Sequence, residues 1–144
     1  MTDINIYITD EEKYYNDCVN IRKRVFVEEQ GVPEDKELDE YEKESLNVLL
    51  LFNDSPAGTV RYRKIDDSTI KVERMAVLKE YRGMGFGNNL MNFVHVHARQ
   101  SGYHWAKLGA QTHAIKFYTN LGYEESSKEY MDVGIPHIDM IKKL

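Results

Sequence analysis

Ile70-Lys71-Val72-Glu73-Arg74-Met75-Ala76-Val77-Leu78, followed three residues later by Arg82-Gly83-Met84-Gly85-Phe86-Gly87, is the stretch on which the reading of this chain turns. The first run has strand character. After the glycines, Phe86, Leu90, Met91, Phe93, Val94 and Ala98 recur at helical spacing up to the stop at Gly102. A strand that turns through glycines into a helix makes an anion site. The first N–H groups of the helix lack intrahelical acceptors, the macrodipole adds partial positive charge, and glycine lets a phosphate approach the backbone. Arg82 adds a positive charge at the mouth.

Spacing narrows the ligand. A P-loop ends in Gly-Lys-Ser/Thr, and here Gly87-Asn88-Asn89 stands in that place. A dinucleotide fingerprint needs a third glycine where Asn88 or Leu90 is found. What remains, Arg-x-x-Gly-x-Gly after a strand, resembles the acyl-CoA pyrophosphate loop of the GNAT family of N-acyltransferases. A second segment, Gln111 to Tyr123, is similar to that family's closing motif: a polar amide residue, Ala114 three later, the pair Phe117-Tyr118, then Gly122-Tyr123. Arg24 to Pro33 and Gly134 to Met140 resemble segments of a bacterial subgroup of small acetyltransferases related to YjcF and ElaA. Gln111 stands where the family often has Asn, and Tyr123 where Phe is common.

The order of elements reads strand, helix, acidic helix or loop, three strands, helix, strand, helix, two strands. Asn5 to Thr9 is the first strand, and Thr9 with Glu12 has the form of a capping box opening a helix that runs to about Phe26. Asn53-Asp54-Ser55-Pro56 is a hairpin signal between the runs Leu46 to Phe52 and Ala57 to Lys64. Mixed strands and helices give an α/β or α+β layered structure. The resemblance implies the GNAT fold over residues 1–144 as a single domain, with a central mixed sheet of about seven strands and about four helices.

The strand ending near Val77 and the strand Trp105 to Ala110 enclose one helix, so a right-handed crossover makes them parallel neighbours, with a cleft at their carboxyl ends. In the family those strands splay and hold acyl-CoA between them. The resemblance then implies that Met75, Ala76 and Val77 pair with the pantetheine arm, that Arg82, Gly83, Met84, Gly85, Phe86, Gly87 and Asn88 take the pyrophosphate, and that Gln111 and Phe117 complete the acetyl-CoA site. It further implies that backbone N–H groups near Met75 steady the oxyanion while Tyr118 protonates the departing sulfur. Strand alternation places Glu73 on the face of Met75 and Val77, where it is either a base or a carboxylate paired with a nearby cation. His113, His137 and water are the other bases on offer.

The chain's 144 residues, 42% hydrophobic, are enough for one core. No apolar run approaches twenty residues and Met1 to Asp10 has no leader pattern, so the expectation is a soluble, cytoplasmic protein without membrane contact. A net charge of −5 argues against nucleic acid. His95 and His97 point to different helix faces and no Cys pair or His-Glu-x-x-His occurs, so no metal is expected. Cys18, the one cysteine, reads as a buried thiol rather than a nucleophile. Nine acidic residues crowd Glu28 to Glu44 against Lys36 and Lys43. That segment is either a solvated face or a collar that draws in a cationic amine. The functional expectation is acetyl transfer to a primary amine of a small molecule, with a homodimer left open. The alternatives are a protein or peptide acceptor, or an acyl-CoA sensor without turnover.

Overall fold

The computed structural model describes residues 3–9 and 11–144. Among them the chain forms β1 (Ile4–Ile8), α1 (Glu12–Arg22), α2 (Glu34–Glu37), β2 (Leu46–Phe52), β3 (Ser55–Lys64), β4 (Thr69–Val77), α3 (Phe86–Gln100), β5 (Trp105–Gln111), α4 (Ile115–Asn120), β6 (Glu124–Glu125), β7 (Tyr130–Asp132) and β8 (Ile135–Lys143). The strands make one sheet in the order β1-β2-β3-β4-β5-β8-β6, with β7 also paired to β8. Every pairing is antiparallel except β4 with β5. The expected mixed sheet is present, with eight strands among the described residues, because the final segment splits into β6, β7 and β8 rather than two strands. No described helix is long and apolar enough to cross a membrane.

Both faces of the sheet are covered, which is why β2 reads as a continuous apolar run. Val48 and Leu50 pack in the layer beneath α3, while Leu49 and Leu51 pack with Cys18, Ile21 and Val25 beneath α1. The β2–β3 hairpin turns at Asn53 and Asp54, whose φ values of 49° and 67° suit the two-residue turn that matches strand twist. From α3, Phe86, Leu90, Met91, Val94 and Ala98 enter the core as their spacing predicts, and Phe93 packs at its edge. Cys18 is buried and desolvation pushes its thiol up to about 11, so it is inert.

The start and end of α1 differ from the sequence reading. Its N-cap is Glu11, with no side-chain cap, so Thr9 does not open the helix; Asp10 between them lies outside the described residues. The helix does not run on unchanged to Phe26 either. From Lys23 to Glu29 it widens into a π-helical segment, closed by Gln30 N–H bonding to the Val25 carbonyl and Val32 N–H to the Phe26 carbonyl. That wider segment places Glu29 and Gln30 over the carboxyl end of β4.

A bulge in β4 reshapes the expected face. Pairing with β3 steps from Arg61↔Glu73 to Thr59↔Ala76, so β4 carries one residue more than its partner, and Arg74 sits there with φ 58°. Glu73, Met75 and Val77 therefore do not share a side, contrary to simple alternation. Met75 and Val77 pack with the α3 layer, whereas Glu73 bonds Arg61 on the α1 side. Parallel pairing of β4 with β5 covers only Thr69, Ile70 and Lys71. Beyond Lys71 the strands part, and β4 runs on to Val77 with no ladder partner among the described residues on that side.

Candidate active site

The gap between the parted strands opens into two cavities of about 550 and 580 Å³. Gln30, Met75 and His113 line both, so the two chambers adjoin beside the part of β4 that lies beyond the divergence. One chamber runs over the glycine loop and the other under β5, β7 and β8. Among the described residues no group of three or more His, Cys, Asp or Glu is arranged to hold a metal ion.

The loop chamber contains most of the residues assigned from the sequence. Met75, Ala76, Val77, Arg82, Gly83, Gly85, Phe86, Gly87, Asn88 and Phe117 all border it. Gly83 and Gly85 have φ of 81° and 82°, a left-handed backbone that aims successive N–H groups outward, and Gly85 is the N-cap of α3. Gly87 allows close approach: a Cβ there would meet the Phe117 ring at 3.1 Å. Two assignments are narrowed by the geometry. Met84 is 46% exposed and lines neither chamber, and the Phe86 ring is buried against Phe52 and Tyr81, so only its backbone faces the loop. Arg82 is not a free charge either: its Nε donates to the Val77 carbonyl at 3.0 Å and its Nη2 to Glu29 at 2.8 Å.

Tyr118, Glu73, Gln111 and His137 border the second chamber. The Tyr118 ring meets Phe117 and Tyr123 edge to face, and burial pushes its hydroxyl up to about 12. Among the described residues the enclosed side-chain nitrogens and oxygens without a partner are Glu37 Oε2 and Arg61 Nε. The Tyr118 hydroxyl has no hydrogen-bond partner among the described residues and is not one of these enclosed atoms, so it reaches the open chamber. Glu73 accepts on Oε1 from Arg61 at 3.0 Å and from Arg63 at 2.9 Å. Of its two sequence readings, the ion-paired carboxylate is the one present.

The acidic segment is not solvated throughout, and Glu37 and Asp39 border the second chamber. Glu37, Asp39 and Glu42 turn inward onto Arg22 and Arg61, both with side chains fully buried. Burial works against the charged carboxylates, yet Arg61 holds Asp39, and Arg22 with Arg61 hold Glu42, below the usual values. Arg74, from the bulge, donates to the Glu37 carbonyl and to Asp39 and closes this side of the chamber.

Gln111 bonds across the junction. Its Nε2 donates to Gln30 Oε1 at 2.8 Å, and its Oε1 lies 2.6 Å from His113 Nε2. Sequence reasoning assigned Gln111 but missed Gln30 and Arg74. The resemblance of Arg24 to Pro33 to the bacterial subgroup was the available pointer to Gln30; nothing local marks the bulge that projects Arg74.

Residues 9–144 match the family profile described as Acetyltransferase (GNAT) domain. The chain is 39% identical over 136 residues to the uncharacterised Bacillus subtilis N-acetyltransferase YjcF, covering 94% of this chain and 96% of that protein. It is 30% identical over 133 residues to Escherichia coli ElaA, covering 88% of this chain and 85% of the relative. Among solved structures, a Lactobacillus plantarum protein described as an N-acetyltransferase superposes with a TM-score of 0.92 at 27% identity, over 98% of both chains.

Proposed function

Because the chain belongs to the GNAT N-acetyltransferase family, whose members move an acyl group from acyl-CoA to an amine, we propose that it acetylates a primary amine of a small molecule with acetyl-CoA as donor. The observation that carries this reading is the pair of chambers sharing Met75 on the stretch of β4 that runs on beyond its pairing with β5. The loop chamber takes the CoA pyrophosphate on Gly83, Gly85, Gly87 and Asn88 with Arg82, and the pantetheine arm enters the gap beside Met75, Ala76 and Val77. The thioester then lies at the junction, within reach of Tyr118. Phe117 walls the arm, and Gln111 stands beside the shared boundary through its bond to Gln30. A concave chamber of about 550 Å³ on the acceptor side is of the size that takes a small amine.

The mechanism follows from charge. The amine attacks the thioester carbonyl carbon, the C–N bond forms, the C–S bond breaks, and the electron pair leaves on sulfur. Backbone N–H groups on the unpaired edge of β4 steady the oxyanion. Tyr118 supplies the sulfur's proton, and the proton released from nitrogen as the C–N bond forms restores the phenol.

Release of free CoA from acetyl-CoA, measured across polyamines, amino sugars, amino-acid amines and lysine peptides, tests the reading. Turnover confined to peptides would move the acceptor to proteins. Tight acetyl-CoA binding with no release across the panel would favour a sensor. Two substitutions test the donor side by calorimetry. Gly85→Asp places a carboxylate where phosphate would rest and should weaken acetyl-CoA binding at least ~30-fold, about 2 kcal/mol at ~1.4 kcal/mol per decade. Glu29→Gln removes the competitor for Arg82 and should tighten binding roughly twofold to fivefold, the range of an exposed ion pair.

A further inference from the structure

We propose that His137 is the base that takes the acceptor's proton, an assignment that rests on the acyl-transfer reading above. Its Nδ1 lies 2.7 Å from the carbonyl oxygen of Ile135 on the same strand. A carbonyl oxygen can only accept, so in the neutral ring the hydrogen is on Nδ1 and the lone pair is on Nε2. Nε2 has no hydrogen-bond partner among the described residues, and it is not among the enclosed unpartnered atoms. His137 is only 8% exposed and borders the chamber that also holds Tyr118. The free lone pair is therefore accessible on a ring that is otherwise buried and that borders this chamber.

The ring is held in place from two directions. Tyr130 stacks on it at 5.9 Å and 22°, and the Tyr130 hydroxyl donates to Asp139. Gly109 makes room for that hydroxyl, since a Cβ there would lie 2.6 Å from it. In the β5–β8 ladder His137 stands opposite Gln111, whose side chain reaches the junction of the chambers. A base on one wall and Tyr118 on another can serve the two ends of one reaction.

The other candidates are worse placed. If Glu73 took up a proton, fully buried Arg61 would lose one of the charges that compensate it. His113 is exposed, and its Nε2 is engaged by Gln111. With His137 as base the proton count closes. An acceptor ammonium gives one proton to Nε2, the neutral amine attacks, a second proton leaves nitrogen as the amide forms, and that one replaces the proton Tyr118 gave to sulfur. The imidazolium then discharges to solvent.

His137→Ala should lower kcat for the alkylamines of the panel ~100-fold or more while leaving acetyl-CoA affinity unchanged by calorimetry, and added imidazole should restore part of the rate. His137→Gln serves as the second variant should the alanine protein fold poorly. Turnover at the wild-type rate in a folded variant, or Glu73→Gln abolishing turnover while His137→Ala does not, would overturn the assignment. Ring nitrogen-15 shifts of the wild-type protein need no acceptor: at pH 8 the assignment requires hydrogen on Nδ1 and a bare Nε2, and hydrogen on Nε2 defeats it. A wild type that turns over no amine yet shows the expected tautomer would fault the acyl-transfer reading and leave the ring geometry standing.

Discussion

Tyr118→Phe should bind acetyl-CoA as the parent does and release CoA ~10²- to 10⁴-fold more slowly, the usual worth of a positioned proton donor. The substitution removes one oxygen and keeps the ring that meets Phe117 and Tyr123 edge to face, and the hydroxyl makes no hydrogen bond to a described residue that would be lost. A structural tyrosine would therefore show almost no effect. The direction of its pKa matters as well. Burial raises the phenol to about 12, so it keeps its proton throughout the working range, and the rate should show no alkaline limb from Tyr118 below pH ~10. A phenol at about 12 facing a thiol near ~8.5 gives a hydrogen bond to the departing sulfur more readily than it gives the whole proton. Transfer is complete only when the amine's own proton returns to the phenol, so the acid step is tied to C–N bond formation. Rapid-quench measurement of CoA release beside calorimetry separates the two parameters, and an unchanged rate in the variant would remove Tyr118 from the chemistry.

What could be read in advance was local. The glycine loop, α3 and the Asn53-Asp54 hairpin each carry their instructions within a few residues, and each lies within one or two residues of where the spacing puts it. What escaped depends on partners far along the chain. Alternation of Glu73, Met75 and Val77 is unbroken in the sequence, and it fails because β3 offers one residue fewer between Thr59 and Arg61. The role of Gln30 is set by Gln111, 81 positions away. The acidic run looked like solvated surface because sequence counts charges without saying which cations they will meet, and two of those cations turn out to be buried in the sheet and in α1. Tyr118 was legible as a motif; its free hydroxyl was not, since that depends on the chamber β8 helps to close.

Glu42→Ala should cost the fold about 3–5 kcal/mol, the usual price of stranding a buried charge, and lower the thermal midpoint by roughly 10 °C at ~2–4 °C per kcal/mol. Glu42 bridges the two buried guanidiniums, accepting from Arg61 Nη1 at 2.8 Å and from Arg22 Nη1 at 2.8 and 3.0 Å, with the Tyr15 hydroxyl at 3.1 Å. Around it Arg22, Arg61, Arg63 and Arg74 face Glu37, Asp39, Glu42 and Glu73, four charges of each sign. Desolvation works against the charge on Arg22 and Arg61, and the carboxylates more than offset it, leaving both raised. Removing Glu42 leaves an excess positive charge around two guanidiniums that are themselves fully buried. Glu42→Gln, which keeps an acceptor and loses the charge, should retain part of the stability and so separate charge from hydrogen bonding. The pH dependence has a definite sign. Asp39 and Glu42 have folded values below their ordinary 3.8 and 4.5, so their contribution is present above those values and drains away as pH falls through the depressed ones. The wild type should accordingly lose stability below pH ~4.5, and Glu42→Ala should show a shallower acid limb on a lower plateau. Denaturant melts at pH 7 and pH 3 read both effects; parallel acid limbs in the two proteins would mean that Glu42 does not compensate the buried arginines.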